Sequence, residues 1–226
     1  MTRATVIGAG GLGGPLALAL GAAGIELTIV DPDVVEVSNL HRQIQFTDAD
    51  VGTSKAKVLA AAIAGARGYQ VRWRIEDADE LSGDADLVVD GSDDPATKFA
   101  VADWAVANGR PYVIAAAIRF GGNVMVGAPG AACYRCLFEE PVIGATCATA
   151  GVLGPVVGAI GGVAAALALG LARGDRTHAG ALFVFDDLRR SIDPRIVRFA
   201  PRAGCSSCAR AALPPTRERV IVAEVR

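Results

Sequence analysis

Residues 4–13 read Ala4-Thr-Val-Ile-Gly-Ala-Gly-Gly-Leu-Gly13. A short apolar run passes straight into glycines. The glycines pass into Pro15-Leu-Ala-Leu-Ala-Leu20, a helical stretch whose proline sits near the first turn, where proline is tolerated. Strand, glycine turn and helix together make a place where backbone N–H groups and a helix N-terminus approach a phosphate, because no side chains intervene. Gly8, Gly10, Gly11 and Gly13 are the candidate cradle. A second apolar run, residues 26–30, ends against Asp31, where a carboxylate can hold ribose hydroxyls. These features alone indicate an adenine nucleotide, and dehydrogenases share them.

The following segment separates the possibilities. Asp31-Pro-Asp-Val-Val-Glu-Val-Ser-Asn-Leu-His-Arg-Gln43 precedes Gly52-Thr-Ser-Lys-Ala56. A dehydrogenase has no need of a polar Ser-Asn-Leu-His-Arg-Gln loop here, whereas a nucleotidyl-transfer site does. Arg42 and Lys55 are placed to neutralise triphosphate charge as pyrophosphate leaves; the competing reading makes both of them surface charges. Asp90-Gly-Ser-Asp-Asp94 follows another apolar run, 87–89, at the strand end where ligands bind in open α/β sheets. A carboxylate there can hold Mg²⁺ beside phosphates, and the plainer alternative is an Asp-rich turn.

Cys133-Tyr-Arg-Cys136 and Cys205-Ser-Ser-Cys208 use four of the five cysteines. Each pair has the spacing at which two thiolates grip one ion, and four thiolates make a closed tetrahedral zinc site. A disulfide between the pairs is the alternative. Cys147 is left over in a Gly/Ala/Thr-rich stretch that reads as a loop.

The 226 residues suit one α/β domain. Alternating strand and helix signals predict a mostly parallel sheet with helices on both faces. A net charge of −2 and 5% aromatic residues offer neither a nucleic-acid surface nor a base-stacking platform. No leader-like run precedes the first strand, and paired cysteines suit a reducing compartment, so a cytoplasmic protein is expected. Residues 148–172 carry no charge over a length that could span a bilayer. Their Gly/Ala content and Pro155 favour a buried helix instead, with Gly158 and Gly162 allowing close helix approach and a dimer interface as one use.

In order along nearly the whole chain, these pieces resemble the E1-like adenylyltransferases of bacterial sulfur transfer, the MoeB/ThiF/HesA group. The matching pieces are Gly-Ala-Gly-Gly-Leu-Gly at 8–13, Asp31 with Asp33, and Ser-Asn-Leu-His-Arg-Gln at 38–43. They continue with Gly-x-x-Lys-Ala at 52–56, Asp-x-x-Asp at 90–93, both Cys-x-x-Cys pairs, Thr-Cys at 146–147 and the Gly-Val-Leu-Gly-Pro run from 151. The resemblance implies a Rossmann-like adenylation domain over 1–226, with a nucleotide-binding part, 1–130, and a part for zinc, cysteine loop and carrier, 131–226. It implies ATP contacts from Gly8, Gly10, Gly11, Gly13, Asp31, Asp33, Ser38, Asn39, Arg42, Gln43 and Lys55. Asp93 would bind Mg²⁺ with Asp94 beside it, and Arg42, Lys55 and Asp93 would be catalytic. Cys133, Cys136, Cys205 and Cys208 would hold structural Zn²⁺. Cys147 would match the cysteine that in some members forms a covalent link to the carrier.

The implied reaction activates the C-terminal Gly-Gly carboxylate of a small ubiquitin-fold sulfur carrier as an acyl-adenylate. A cysteine desulfurase or rhodanese would donate sulfur, and the enzyme would be a homodimer. Three positions depart from the pattern. The sequence starts at the strand, where the family carries an arginine-bearing helical segment; Asp94 stands where asparagine is usual; Lys98 stands where arginine is usual. A non-catalytic nucleotide- or carrier-binding relative and an NAD-dependent oxidoreductase are the competing functions. The second lacks support, since neither His41 nor His178 lies in a hydride-transfer motif.

Overall fold

In the computed structural model, residues 1–141 and 151–211 are described. Eight strands form one sheet: β1 (Arg3–Ile7), β2 (Glu26–Val30), β3 (Arg67–Tyr69), β4 (Leu87–Asp90), β5 (Tyr112–Ile118), β6 (Gly121–Gly127), β7 (Ala181–Phe185) and β8 (Arg195–Arg198). Their order is β3-β2-β1-β4-β5-β6-β7-β8. The pairings from β3 through β5 are parallel, and those from β5 to β8 are antiparallel. The sheet is therefore mixed, with a parallel nucleotide-binding half and an antiparallel extension. Only Arg119 and Phe120 separate β5 from β6. So short a link permits a hairpin and forbids a parallel crossover. Arg119 takes φ 53° to make the turn.

The helices are α1 (Gly13–Ala22), α2 (Lys55–Ala61), α3 (Ala78–Ser82), α4 (Pro95–Ala107), α5 (Tyr134–Leu137) and α6 (Gly154–Ala172). Central strands such as Leu87-Val-Val are apolar throughout because helices cover both faces. One core joins α1, α2 and α6 through Leu16, Leu59, Ile160 and Ala164 to Val6, Val89 and Val124. The other seats Leu81, Val101 and Trp104, from α3 and α4, on Ile7, Val88 and Ile114.

Helix α6 is long and apolar enough to cross a membrane. Val156, Val157, Ile160, Ala164, Ala168 and Leu171 are nevertheless buried, and α6 packs on α1, β5 and β6. It is a core helix. Within this chain, the close approach is made at a different glycine from the two expected. Nothing lies within 4 Å of a Cβ built on Gly158 or Gly162, whereas one on Gly161 would sit 2.7 Å from the Leu12 carbonyl oxygen. The reason is helical phase: Gly161 faces α1, and Gly158 and Gly162 do not. Residues 220–225, whose sequence suits an edge strand or a loose tail, lie outside the described residues.

The sheet register builds the site. Ile7 pairs with Val30 on one side and Asp90 on the other. Strands β1, β2 and β4 thus end at one level, and the segments starting at Gly8, Asp31 and Gly91 emerge side by side. The order reverses between β1 and β4, the switch point where open α/β sheets bind ligands.

Candidate active site and metal centre

The turn after β1 begins at Gly8, with φ +89°, a conformation that glycine adopts without strain. A Cβ on Gly13 would lie 1.7 Å from the Gly8 carbonyl oxygen, so the turn closes only on glycine. Asp31 accepts the Ala9 N–H at 2.6 Å with one carboxylate oxygen and the Asp33 N–H at 2.8 Å with the other. Burial pushes the Asp31 carboxyl up, against the pull of these two amides. After Ala9, the N–H groups of Gly10, Gly11, Leu12 and Gly13 have no acceptor among the described residues. They run from the turn into the start of a ten-residue helix whose N-cap is Leu12, where partial positive charge accumulates.

Unpartnered acceptors ring the same loop. Among the described residues, the buried side-chain polar atoms lacking a partner are Gln43 Oε1, Gln45 Oε1 and Ser92 Oγ. Gln43 borders Gly10, Gln45 borders Gly14, and Ser92 abuts Gly8. Buried polar groups are ordinarily satisfied. The free N–H donors fit phosphate oxygens, and the free acceptors fit a ligand that also carries hydroxyl or amino donors.

The 31–56 segment wraps this turn. Ser38 and Asn39 sit in a 3₁₀ turn (Val37–Asn39), and both side chains reach Glu36. Arg42 donates to Asn39 Oδ1 and to the Ser38 carbonyl, which holds its guanidinium over that turn. The Lys55 ammonium, almost wholly buried, pairs with the exposed Asp33 carboxylate at 3.0 Å. Asp93, just past β4, is exposed and its carboxylate has no partner among the described residues. It is the free acidic group at this edge.

Asp94 and Lys98 do something other than the sequence suggests. Asp94 caps α4, accepting from the Ala96 and Thr97 amides and the Thr97 hydroxyl. Burial opposes its ionisation, yet the Thr97 hydroxyl and these amides prevail and hold the carboxyl below its usual range. Lys98 turns inward. Its ammonium donates to Asp90 Oδ2 at 2.9 Å and to the Ser92 and Ala115 carbonyls at 2.7 Å each. Asp90 is completely buried and also accepts from the Ser92 amide. Lys98 and Asp90 thus pin the loop that presents Asp93.

The four cysteines of the two pairs converge. Cys133 caps α5 and Cys208 opens a 3₁₀ turn (Cys208–Ala211). Sulfur separations are 3.7 Å for Cys133–Cys136, 3.5 Å for Cys133–Cys205 and 3.4 Å for Cys136–Cys208, and all four sulfurs lie within 4.8 Å of one another. A tetrahedron with metal–sulfur bonds of about 2.3 Å has edges of about 3.8 Å. The thiols are free and too far apart for disulfide bonds, so the disulfide alternative fails. Arg202 braces the knot: its amide reaches Cys136 Sγ and its guanidinium joins Glu139 and the Arg135 carbonyl. Cys147 lies outside the described residues.

Residues 1–207 match the ThiF family. This chain belongs to it. As a ThiF-family chain it is 41% identical over 221 residues to the sulfur carrier protein adenylyltransferase of Thermus thermophilus, covering 90% of this chain and 80% of that one. It is 37% identical to the adenylyltransferase and sulfurtransferase MOCS3 of Dictyostelium discoideum, over 90% of this chain but 51% of that protein. The ThiF-family chain thus spans about half the length of MOCS3. The E. coli MccB structure with ATP superposes at a TM-score of 0.78, covering 92% of this chain and 66% of MccB at 20% identity, and shares its fold.

Gln45 escaped the sequence reading. It is a polar residue beside the buried Phe46, and its amide lies on the glycine turn. The available signal was a glutamine in the otherwise apolar Ile44-Gln-Phe46 step.

Proposed function

We propose that this chain uses ATP to adenylate the C-terminal Gly-Gly carboxylate of a small ubiquitin-fold sulfur carrier. The observation that carries this reading is the run of four N–H groups at residues 10–13 without an acceptor among the described residues, on the sheet edge that also carries Arg42, Lys55 and the exposed Asp93. Kinship with a sulfur carrier protein adenylyltransferase at 41% identity supports the choice of substrate.

A carrier carboxylate oxygen attacks the α-phosphorus. The bond to the bridging oxygen breaks, and pyrophosphate leaves with the electron pair. The turn's N–H groups bind phosphate oxygens, while Arg42 and Lys55 offset the charge that develops on the leaving group. Asp31, Asp33, Ser38, Asn39 and Gln43 complete the nucleotide's surroundings. Asp93 would hold Mg²⁺, which supplies further charge neutralisation when bound. Asp94, committed to capping α4, sets where that helix and its loop begin.

Cys133, Cys136, Cys205 and Cys208 would hold Zn²⁺ as a closed structural site. Cys147 is assigned the covalent link to the carrier, with a cysteine desulfurase or rhodanese as sulfur donor. The outward face of α6, with Pro155, Ala159, Gly162 and Ala166 exposed, suits the homodimer contact, and four free thiols suit the cytoplasm. ATP–pyrophosphate exchange with purified carrier tests the reading. Exchange that needs both the carrier and its terminal Gly-Gly is expected, and its absence with every carrier tried would overturn it.

A further inference from the structure

Gln45 lies on the chain entering α2, far in sequence from the glycine turn. Yet its side-chain nitrogen donates to the Ala9 carbonyl at 2.9 Å and to the Gly10 carbonyl at 3.0 Å. A primary amide carries two N–H donors, and both are used here. The two carbonyls also fix which end of the amide is nitrogen. The side chain fits because residue 14 is glycine: a Cβ there would sit 2.2 Å from Gln45 Cδ.

A trans peptide points its carbonyl and the following N–H in opposite directions. The Gly10 carbonyl also accepts the Gly14 N–H at 2.9 Å, so Gln45 shares that plane with the helix start, while among the described residues it alone holds the Ala9 carbonyl; the two anchors turn the Gly10 and Gly11 N–H groups the other way. Those are two of the four donors without an acceptor. Packing does not account for a glutamine here. Its Oε1 is buried with no partner, and an apolar side chain of equal length would fill the space without that cost. The bonds to the two carbonyls are what the glutamine provides.

We propose that Gln45 is a positioning residue for nucleotide phosphates: its amide presets the two peptide planes whose N–H groups receive them. The proposal rests on the ATP reading above. It acts through the loop backbone, with no contact between Gln45 and the reacting atoms.

Calorimetric titration of the full chain with ATP and with adenosine tests it, using wild type, Gln45→Met, Gly14→Ala and the double variant. Gln45→Met keeps length and removes both donors. Gly14→Ala displaces the same side chain from the other side. Each single variant should raise the ATP Kd about tenfold, the scale expected for two lost hydrogen bonds and a loosened anion site. Adenosine binding should stay within about twofold, because it lacks phosphates. The double variant should bind ATP no worse than the weaker single one, since both changes remove one interaction.

Equal weakening of ATP and adenosine would show a merely structural role and overturn the proposal, as would an unchanged ATP Kd in either single variant. If Gln45→Met does not fold, Gly14→Ala alone decides by the same ATP-to-adenosine comparison. Pyrophosphate exchange keeps the two readings apart. A wild type that binds ATP with this phosphate-dependent sensitivity but shows no exchange refutes the adenylation reading and leaves Gln45 in place. A wild type that exchanges while Gln45→Met binds ATP normally does the reverse.

Discussion

Replacing Lys98 with methionine should cost this protein a large part of its stability, although the site is a single surface-type residue by sequence. The Lys98 ammonium makes three hydrogen bonds of 2.7–2.9 Å, to Asp90, Ser92 and Ala115. Its side chain is 7% exposed and that of Asp90 is fully buried. Methionine fills a similar volume, so little cavity forms. What remains is a buried carboxylate with only the Ser92 amide, plus two carbonyls that lose a donor. Removing one partner of a buried ion pair costs about 3–5 kcal/mol. Domain stability is about 5–15 kcal/mol, so the loss is substantial. With a urea slope of about 2 kcal/mol/M, the unfolding midpoint should fall by about 2 M. The double variant Lys98→Met/Asp90→Asn removes the stranded charge and should recover at least half of that. Urea titration followed by circular dichroism reads both numbers. A midpoint shift below about 0.5 M in Lys98→Met would refute the claim that this pair locks the loop before Asp93.

The metal site predicts one zinc per chain by elemental analysis; Cys133→Ser should lower the melting temperature while changing ATP affinity far less, and metal-free protein with oxidised cysteines would contradict it. Asp93→Ala should reduce pyrophosphate exchange by about a hundredfold or more with an unchanged melting temperature, because the exposed carboxylate has no partner to lose among the described residues. Asp94→Ala should cost about 1 kcal/mol at neutral pH through the lost cap. The folded Asp94 carboxyl titrates below its unfolded value of 3.8, so its contribution is full well above that value, declines as pH falls past it and is lost once pH falls through the lower folded value; the gap between wild type and variant, read by denaturant titration, should begin to narrow near pH 3.8 and shrink further below it. Cys147→Ala should still form acyl-adenylate but lose any reducible carrier adduct seen by mass spectrometry; wild-type adduct levels in the variant would remove Cys147 from the chemistry.

Much of the nucleotide half was legible because its signals are local. Gly8 to Gly13 between a strand and a helix, and Asp31 at the next strand end, declare themselves within a few residues. What escaped depends on distant partners. Strand β3 is three residues with exposed Arg67 and Tyr69, and β8 is Arg195-Ile-Val-Arg198 at the open edge. Neither shows the apolar alternation of a strand in the interior, and each forms because a neighbour offers a ladder. Lys98 reads only as a lysine where arginine is usual, and its buried bond to Asp90 shows once α4 turns it inward. Asp94 reads as a neighbour of the Mg²⁺ carboxylate, and its capping role shows only at the start of α4. Gln45 shows its purpose only when the fold brings it back to Ala9 and Gly10.

The four-cysteine knot also has a consequence for how the chain comes to be made. It joins residue 136 to residue 205, and the 68 residues between include α6, β7 and β8. A cross-link closing a loop of that length restricts the unfolded chain by about 4 kcal/mol on the polymer estimate. No such restriction exists until Cys208 has left the ribosome. The parallel strands are complete by residue 118 but lack the cover of α6 until residue 172, so that half closes with Cys133 and Cys136 already made as a waiting half-site. The last cysteine pair then arrives as a latch, and, with Zn²⁺ held there as proposed, metal availability would govern when the antiparallel edge is committed to the sheet.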